Sequence, residues 1–184
     1  PARLLSVPPQ GWVNLHFSLL PAWRGAAPVQ HAVWHGDDLT GATTFRLDRG
    51  MDTGPVFGTV VEPIGPRDTS GEVLIRLAEA GAGLLRATID GIAAGELVAV
   101  PQPADGASLA PKIEVADAQV DWSAPDLAVD RQIRACTPAP GAWTTFRGDR
   151  VKLQPVRRAA GAPEVGPGQL LPHEGQWLVG TGTR

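Results

Sequence analysis

The sequence predicts an α/β fold with a mostly parallel sheet, followed by a small β-rich domain. Up to residue 95, segments that resemble strands alternate with segments that resemble helices, and this alternation favours a parallel sheet. Residues 96–114 are rich in Pro and Gly and show little hydrophobic periodicity, as expected for a linker. Short strands separated by turn residues follow in 115–184, which is typical of a small barrel.

Four short elements are predicted in the first part. Apolar segments bounded by glycine or proline favour strands. A segment with Pro28 in its first turn and Gly36 after its end favours a helix. The predicted strands are 12–16, 43–47 and 56–61, and the predicted helix is 26–34.

The longest predicted helix begins after a capping box. Thr69 is followed three residues later by Glu72, and this pair can satisfy the free amides at a helix start. The apolar residues that should form its buried face are Val73, Leu77, Leu84, Ile89 and Ile92.

The second part combines one short helix with hairpins. Ser123 is in a position to cap a helix that runs through residue 135. Strands are predicted at 143–146 and 151–153, and the intervening Gly148-Asp149 predicts a type II′ turn. Short strands are also expected around 170 and at 177–179.

Composition indicates a globular chain from a reducing compartment. Hydrophobic residues make up 43% of the chain and charged residues 19%, which argues against disorder. Cys136 is alone, so no internal disulfide can form. Neither a membrane-spanning apolar run nor a signal peptide is evident, so we expect a cytoplasmic protein without a membrane partner.

Three polar residues suggest catalytic chemistry. Asn14 and His16 are two apart on a predicted strand, so their side chains leave the same face at its carboxyl end. An amide and an imidazole placed together can donate to a developing oxyanion, and imidazole can also shuttle a proton. Asp52, in a Gly-rich turn, could orient His16 or accept a proton. The alternatives are a polar strand end and an ordinary turn residue.

Other reactive residue types carry weaker signals. His31 and His35 are four apart on a helix and could share a metal, but no third ligand is evident, so we interpret them as surface or helix-packing residues. We predict no metal site. Cys136 is interpreted as a small buried residue rather than a nucleophile.

The run 14–21, Asn-Leu-His-Phe-Ser-Leu-Leu-Pro, resembles the Asn-x-His-x-Ser-Leu-Leu-Pro signature of 10-formyltetrahydrofolate-dependent formyltransferases. The spacing to Asp52 also fits the third catalytic residue of that family. The resemblance implies that Asn14 and His16 hold the formyl oxygen, while Asp52 supports His16 and proton removal from the attacking amine. It also implies that 10-formyltetrahydrofolate is the co-substrate. The residues implied to contact the folate are Ser18, Leu19, Leu20 and Pro21.

The neighbouring segment 23–30 resembles the corresponding segment of methionyl-tRNA formyltransferases more closely than that of sugar-nucleotide or glycinamide-ribonucleotide formyltransferases. This implies formylation of initiator methionyl-tRNA for translation initiation. It further implies that 1–95 is the C-terminal part of a Rossmann-like catalytic domain and 115–184 an incomplete OB-like domain. Family members carry another half-sheet before the equivalent of Pro1, so we expect this chain to be part of a longer protein, monomeric when complete.

Two alternatives stay open at this point. One is a sugar-nucleotide N-formyltransferase, and the other is a non-catalytic tRNA-binding remnant that uses only the basic segment 131–158. In this segment we predict tRNA contacts at Arg147, Arg150 and Lys152, although a solvated surface would have the same composition. The segment contains one acidic residue, Asp149. Its cationic residues are Arg131, Arg134, Arg147, Arg150, Lys152, Arg157 and Arg158.

Overall fold

The computed structural model describes residues 4–159 and 161–183. A three-stranded sheet and two helices form the first part, and one helix with two hairpins forms the second. The first part contains β1 (Val13–His16), β2 (Arg24–Gly25), α1 (Pro28–His35), β3 (Leu39–Arg46), β4 (Val56–Pro63), α2 (Ser70–Ala94) and β5 (Leu109–Ala110). The second contains α3 (Asp126–Ala135), β6 (Trp143–Phe146), β7 (Asp149–Lys152), β8 (Leu170–His173) and β9 (Gln176–Val179).

The main sheet is antiparallel, so the predicted mostly parallel sheet is wrong for the described residues. Strand β3 lies in the centre and pairs antiparallel with both β1 and β4. Residues 47–55 alone connect β3 to β4, and parallel neighbours need a crossover of roughly a dozen residues or more. Among the strands in the described ranges, β2 and β5 are the pair that runs parallel, and their pairing is two residues long.

Helix α1 begins and ends where its sequence signals predict. Pro28 occupies its first turn, where the missing amide proton costs nothing because that amide has no partner within the helix. Gly36 adopts the left-handed conformation after the last turn, with a φ of 78°. Its amide donates to the carbonyls of Ala32 and Val33, and the Asp37 amide also donates to that of Ala32, so the carbonyls of the last turn have partners.

The capping box at the start of α2 is confirmed, but its predicted buried face is only partly correct. Val73 and Leu77 are fully buried, whereas Ile89 is 53% exposed. Thr88 faces the sheet instead, and its hydroxyl lies 2.8 Å from that of Thr44. The buried face continues from Leu77 at intervals of three or four residues, as helical geometry requires, and therefore reaches Thr88 rather than Ile89.

Helix α3 begins at Asp126, so the predicted cap at Ser123 is wrong. The hydroxyl and the amide of Ser123 both donate to the carboxylate of Asp121, in the preceding turn. Pro125 occupies the position before the first helical residue. The proline has no amide proton to leave unpaired, which suits it to a helix start.

The hairpins β6–β7 and β8–β9 form separate two-stranded sheets. The predicted OB-like barrel is therefore not observed in the described residues, where no sheet closes on itself. Between β7 and β8, the chain carries Pro155, Pro163 and Pro167, which cannot donate the hydrogen bonds that a continuous strand ladder needs. The domain limits at residues 95 and 115 stay predictions.

The turn between β6 and β7 is shifted by one residue from the prediction. Its central residues are Arg147 and Gly148, and both have positive φ, at 53° and 92°. A type I′ turn has a positive φ at both central residues, whereas a type II′ turn has a positive φ at one, so this turn is type I′. Type I′ turns match the right-handed twist of the strands they join. The hairpin itself is confirmed.

A buried ion pair within α3 also contacts the first part of the chain. Arg134 Nε donates to Asp130 Oδ2 at 2.8 Å, and the two side chains are 6% and 5% exposed. Arg134 also donates to the carbonyl of Asp68, just before α2. Arg67, in the first part, donates to Asp130 Oδ1 at 3.2 Å. Because both buried charges have left water, Arg134 depends on Asp130 for a carboxylate partner.

We predict that Asp130→Ala destabilises the protein by about 3–5 kcal/mol, because Arg134 would keep a buried and uncompensated charge. Urea unfolding measures the change. Asp90→Ala is the matched control, since Asp90 forms an i,i+4 pair with Arg86 in which both side chains are largely exposed. Equal effects of the two substitutions would contradict the interpretation.

No helix among residues 4–159 and 161–183, including the 25-residue α2, has the apolar length needed to cross a membrane.

Candidate active site

Asn14 and His16 leave the same face of β1, as their spacing predicts. Leu15, between them, points to the opposite face, where it packs in the core against α2. Gly81 on α2 makes room for this contact, because a Cβ there would lie 3.0 Å from the Leu15 side chain. The alternation of the strand therefore separates a core face from a polar face.

His16 is the last residue of β1 and is 7% exposed. Its Nε2 lies 2.9 Å from the carbonyl oxygen of Trp23, and because a carbonyl only accepts, this nitrogen carries the proton. Its Nδ1 lies 3.7 Å from Asp52 Oδ2. In the neutral ring, Nδ1 therefore presents a lone pair towards the Asp52 carboxylate.

Asp52 lies in the turn between β3 and β4 and adopts the left-handed conformation, with a φ of 53°. That conformation is common for Asp in turns. Its side chain nevertheless points inward, where Oδ2 accepts from the Gly25 amide at 2.8 Å and faces His16. On the other side of the turn, Asp48 accepts from Gly50 and Thr53. Asp52 is thus both a turn residue and a neighbour of His16.

Asn14 is half-buried. Its side-chain amide forms no hydrogen bond with any side chain or backbone group among the described residues. His16, on the same face, already has the Nε2 proton in a hydrogen bond with the Trp23 carbonyl. The Asn14 side chain is therefore the donor that this face of β1 offers to an incoming oxygen.

The loop after β1 is held by internal hydrogen bonds. The Ser18 hydroxyl is buried and donates to the Ala22 carbonyl at 2.6 Å. Thr43 on β3 donates to the Ser18 carbonyl, and the Leu20 amide donates to the Thr43 hydroxyl. Leu20 is buried, while Leu19 and Pro21 are half-buried. The loop shape is therefore set by its own side chains and by β3, and its predicted folate contact stays a prediction.

Sequence reasoning missed the contribution of the linker. Gln102 donates from Nε2 to the carbonyl oxygens of Asp52 and Gly54, both at 2.8 Å. Its Oε1 accepts from Arg24 at 2.6 Å. The Ser108 hydroxyl accepts from the amide of Trp23, whose carbonyl binds His16. A polar residue between prolines in a linker carries no local signal, so only the fold reveals these contacts.

Gly25 is required by the close approach of β2 to β5. Its φ is 127°, a conformation that side chains disfavour, and a Cβ would lie 2.6 Å from the carbonyl oxygen of Ala110. The same residue donates its amide proton to Asp52.

His31 and His35 pack against Trp23. Their ring centroids lie 5.7 and 4.7 Å from that of Trp23, whose indole nitrogen donates to Asp37. His31 also contacts the carbonyl of Pro111 through Nε2. Across the described part of the chain, no three His, Cys, Asp or Glu side chains are grouped to hold a metal ion.

Cys136 is fully buried at the end of α3. Burial, with a smaller contribution from the charge of Asp117, raises the pKa of its thiol to about 11. The thiol therefore stays protonated near neutral pH, and the protonated form is a poor nucleophile.

We predict that native Cys136 reacts with iodoacetamide far more slowly than the unfolded chain at about pH 9. The unfolded thiol ionises near its ordinary pKa of about 8.5, whereas the native pKa near 11 keeps the thiol protonated. Because the chain has a single cysteine, mass spectrometry follows this reaction without ambiguity. Equal rates in the two states would contradict the burial argument.

The three predicted tRNA-contacting cations lie on the exposed β6–β7 hairpin. Arg147 is in the turn and stacks over Phe146, and Arg150 lies 4.4 Å above the ring of Trp143. Arg150 and Lys152 share one face of β7, on which every residue is exposed. None of the three forms an ion pair with a carboxylate in the described ranges.

The rest of the basic segment is largely compensated within the fold. Arg134 pairs with Asp130, and Arg158 pairs with Asp126 at 2.6 Å. Arg131 donates to the carbonyl of His35. The cations of 131–158 that form no ion pair among the described residues therefore include the three of the hairpin, together with Arg131 and Arg157 outside it.

Two family models match most of the chain. The model described as Formyl transferase matches residues 1–89. The model described as Formyl transferase, C-terminal domain, matches residues 112–184.

Similar proteins carry the same name at high identity. The methionyl-tRNA formyltransferase of Salinispora arenicola is 62% identical over 183 residues, covering 100% of this chain and 59% of the relative. That of Thermobifida fusca is 65% identical over 179 residues, covering 97% of this chain and 58% of the relative. The chain thus spans less than two thirds of the length of these relatives.

Solved structures share the fold at low identity. A structure of HypX from Aquifex aeolicus in complex with tetrahydrofolic acid aligns with a TM-score of 0.75 at 20% identity, over 92% of this chain and 30% of that one. Methionyl-tRNA formyltransferase from Clostridium thermocellum aligns with a TM-score of 0.62 at 18% identity, over 90% of this chain and 65% of that one.

Proposed function

The chain belongs to the formyl transferase family, and from this premise we propose that the whole protein transfers a formyl group from 10-formyltetrahydrofolate to the amino group of initiator methionyl-tRNA. One observation carries the proposal. Asn14 and His16 lie on one polar face at the end of β1, and Asp52 lies 3.7 Å from His16.

In this proposal, Asn14 stabilises the negative charge that develops on the formyl oxygen. Its amide has no partner in the described chain, so it can donate to that oxygen without breaking an existing bond. A donation from His16 to the same oxygen would first have to replace its bond to Trp23. The geometry therefore favours Asn14 as the oxyanion donor.

His16 and Asp52 handle the proton. When the amine attacks the formyl carbon, its nitrogen must lose a proton, and Nδ1 of His16 carries a lone pair beside a carboxylate. Asp52 stabilises the resulting imidazolium, while the Trp23 carbonyl keeps the ring oriented. His16 can then return the proton to the departing nitrogen, so that no net charge accumulates.

The folate co-substrate fits the chemistry of this face. When bound, 10-formyltetrahydrofolate supplies a formyl carbon joined to a nitrogen that can leave. Asn14 offers a donor for the formyl oxygen, and the apolar Leu19 lies in the adjoining loop. A structural neighbour, HypX, is described in complex with tetrahydrofolic acid.

Methionyl-tRNA is the favoured acceptor because the relatives with 62% and 65% identity are methionyl-tRNA formyltransferases. Exposed and unpaired cations at Arg147, Arg150 and Lys152 suit a phosphate backbone. A sugar-nucleotide acceptor has less support, since neighbours with sugar substrates share 25% identity or less. A purely tRNA-binding role leaves the Asn14–His16–Asp52 arrangement unexplained.

We further propose that the whole protein is a monomer and that it acts in the cytoplasm.

We predict that His16→Ala and Asn14→Ala in the whole protein each lower kcat by about 100- to 1000-fold. Oxyanion and proton contacts act mainly in the transition state, so folate binding should change much less. Single-turnover formylation and a separate folate-analogue titration measure the two quantities.

His173→Ala is the control for these variants, because His173 lies on β8 and its neighbour in the fold is the exposed Glu174. Its kcat should match that of the unmodified protein. Near-normal turnover of either site variant would remove the assigned role.

We predict that replacing Arg147, Arg150 and Lys152 together with Gln weakens tRNA binding and flattens its dependence on salt. The slope of log affinity against log salt should fall by up to about 0.7–0.9 for each phosphate that the variant no longer neutralises. Folate affinity should stay constant, because the hairpin contributes none of the Asn14–His16–Asp52 site. Fluorescence titration of tRNA at several salt concentrations measures both effects.

Arg86→Gln with Lys112→Gln removes exposed cations outside the hairpin and is the control. An unchanged slope in the hairpin variant would show that these side chains only solvate the surface.

A further inference from the structure

Residues 100–110, here called the strap, run from the end of the first part towards the second. Most of their side chains are exposed, but Gln102 and Ser108 point inward and Ala110 is buried. The strap is held at both ends by backbone pairing. Val100 exchanges two hydrogen bonds with Val56, and β5 pairs with β2.

Between these two attachments, the strap contacts both loops of the active site. Gln102 donates to the Asp52 and Gly54 carbonyls, so it fixes the backbone on either side of Thr53. Asp52 has a positive φ, as is common for Asp in turns. The hydrogen bonds of Gln102 to the carbonyls on both sides of Thr53 restrain this turn further.

The same side chain reaches the other loop. Its Oε1 accepts from Nε and Nη2 of Arg24, and the next residue, Gly25, donates its amide proton to Asp52 Oδ2. The hydrogen bonds thus form a ring: Gln102 binds Asp52, Asp52 binds Gly25, and Arg24, which precedes Gly25, binds Gln102. Only a side chain with both donors and an acceptor completes it, as an amide does.

The strap also touches the partner of His16. The Ser108 hydroxyl accepts from the Trp23 amide, and the Ser108 carbonyl accepts from the Arg24 amide. Trp23 in turn orients His16 through its carbonyl. Both members of the His16–Asp52 pair are therefore attached to the same segment, Asp52 directly through Gln102 and His16 through Trp23.

We propose that the strap belongs to the catalytic apparatus, with Gln102 as the positioning residue that directs the Asp52 carboxylate towards His16. This inference rests on the proposed formyl transfer. Gln102 does not touch His16, so it acts through Asp52, and its removal affects turnover only as far as Asp52 contributes.

The test uses the whole protein and two variants. Gln102→Met removes every hydrogen bond of this side chain, whereas Gln102→Glu keeps an acceptor for Arg24 but removes both donors to the Asp52 turn. We expect each to lower kcat by about 10- to 100-fold, as displaced catalytic groups do, with KM changed by no more than about twofold. Gln102→Glu keeps the test valid if Gln102→Met folds poorly.

A combined substitution distinguishes positioning from general stability. In an Asp52→Asn background, Gln102→Glu should cause little further loss of kcat, because effects of residues that act together are not additive. The matched control is Gln132→Met, which removes two amide-to-carbonyl bonds of the same kind, to Asp117 and Gln119, far from the site. It should leave kcat unchanged.

A second readout does not depend on activity. The Gly25 amide donates to Asp52, so Gln102→Glu should speed its hydrogen exchange by about tenfold or more, with the amides that pair β3 and β4 unaffected. Unchanged Gly25 exchange, unchanged kcat, or an equal loss of kcat in the Asp52→Asn background would each overturn the proposal. An unmodified protein without formyl transfer would instead overturn the proposed function, and the exchange result would still decide the role of the strap.

Discussion

Gly25 is the residue where three separate segments of the chain come within hydrogen-bonding distance. Its backbone pairs with Ala110 in the linker, and its amide binds the Asp52 carboxylate. A Cβ at this position would lie 2.6 Å from the Ala110 carbonyl oxygen, so any side chain would push the linker away. The position of Asp52, and through it the environment of His16, therefore depends on the absence of one side chain.

The antiparallel sheet provides the frame around this junction. Strand β3 places Thr43 opposite His16, and the Thr43 hydroxyl binds the loop that follows β1. The turn that leaves β3 then brings Asp52 back to the end of β1. Hydrogen bonds of Arg134 to the Asp68 carbonyl and of Arg67 to Asp130 attach α3 to the first part, while the β6–β7 hairpin stays exposed. The groups that we propose for proton transfer and those that we propose for phosphate contact thus lie in different parts of the chain.

Much of the candidate site could be predicted because its signals are local. Asn14 and His16 share a face through the two-residue period of a strand, and the capping box at Thr69 needs partners only three residues apart. Asp52 is a candidate because of its Gly-rich turn, and the spacing from residues 14–21 matches that in formyltransferases. The sequence predicts burial of Ile89 because an apolar residue near the helical period usually faces the core, yet the fold gives that position to Thr88.

By itself, the sequence determined where the helices α1 and α2 begin, which residues of β1 share a face and which family the chain resembles. The tertiary structure alone decided the antiparallel direction of the sheet, the separate hairpins in place of a barrel, and the contacts of Gln102 with Asp52. The reason lies in the range of the interactions. Helix caps and strand alternation involve residues a few positions apart, whereas the Gln102 contacts involve partners up to 78 residues away.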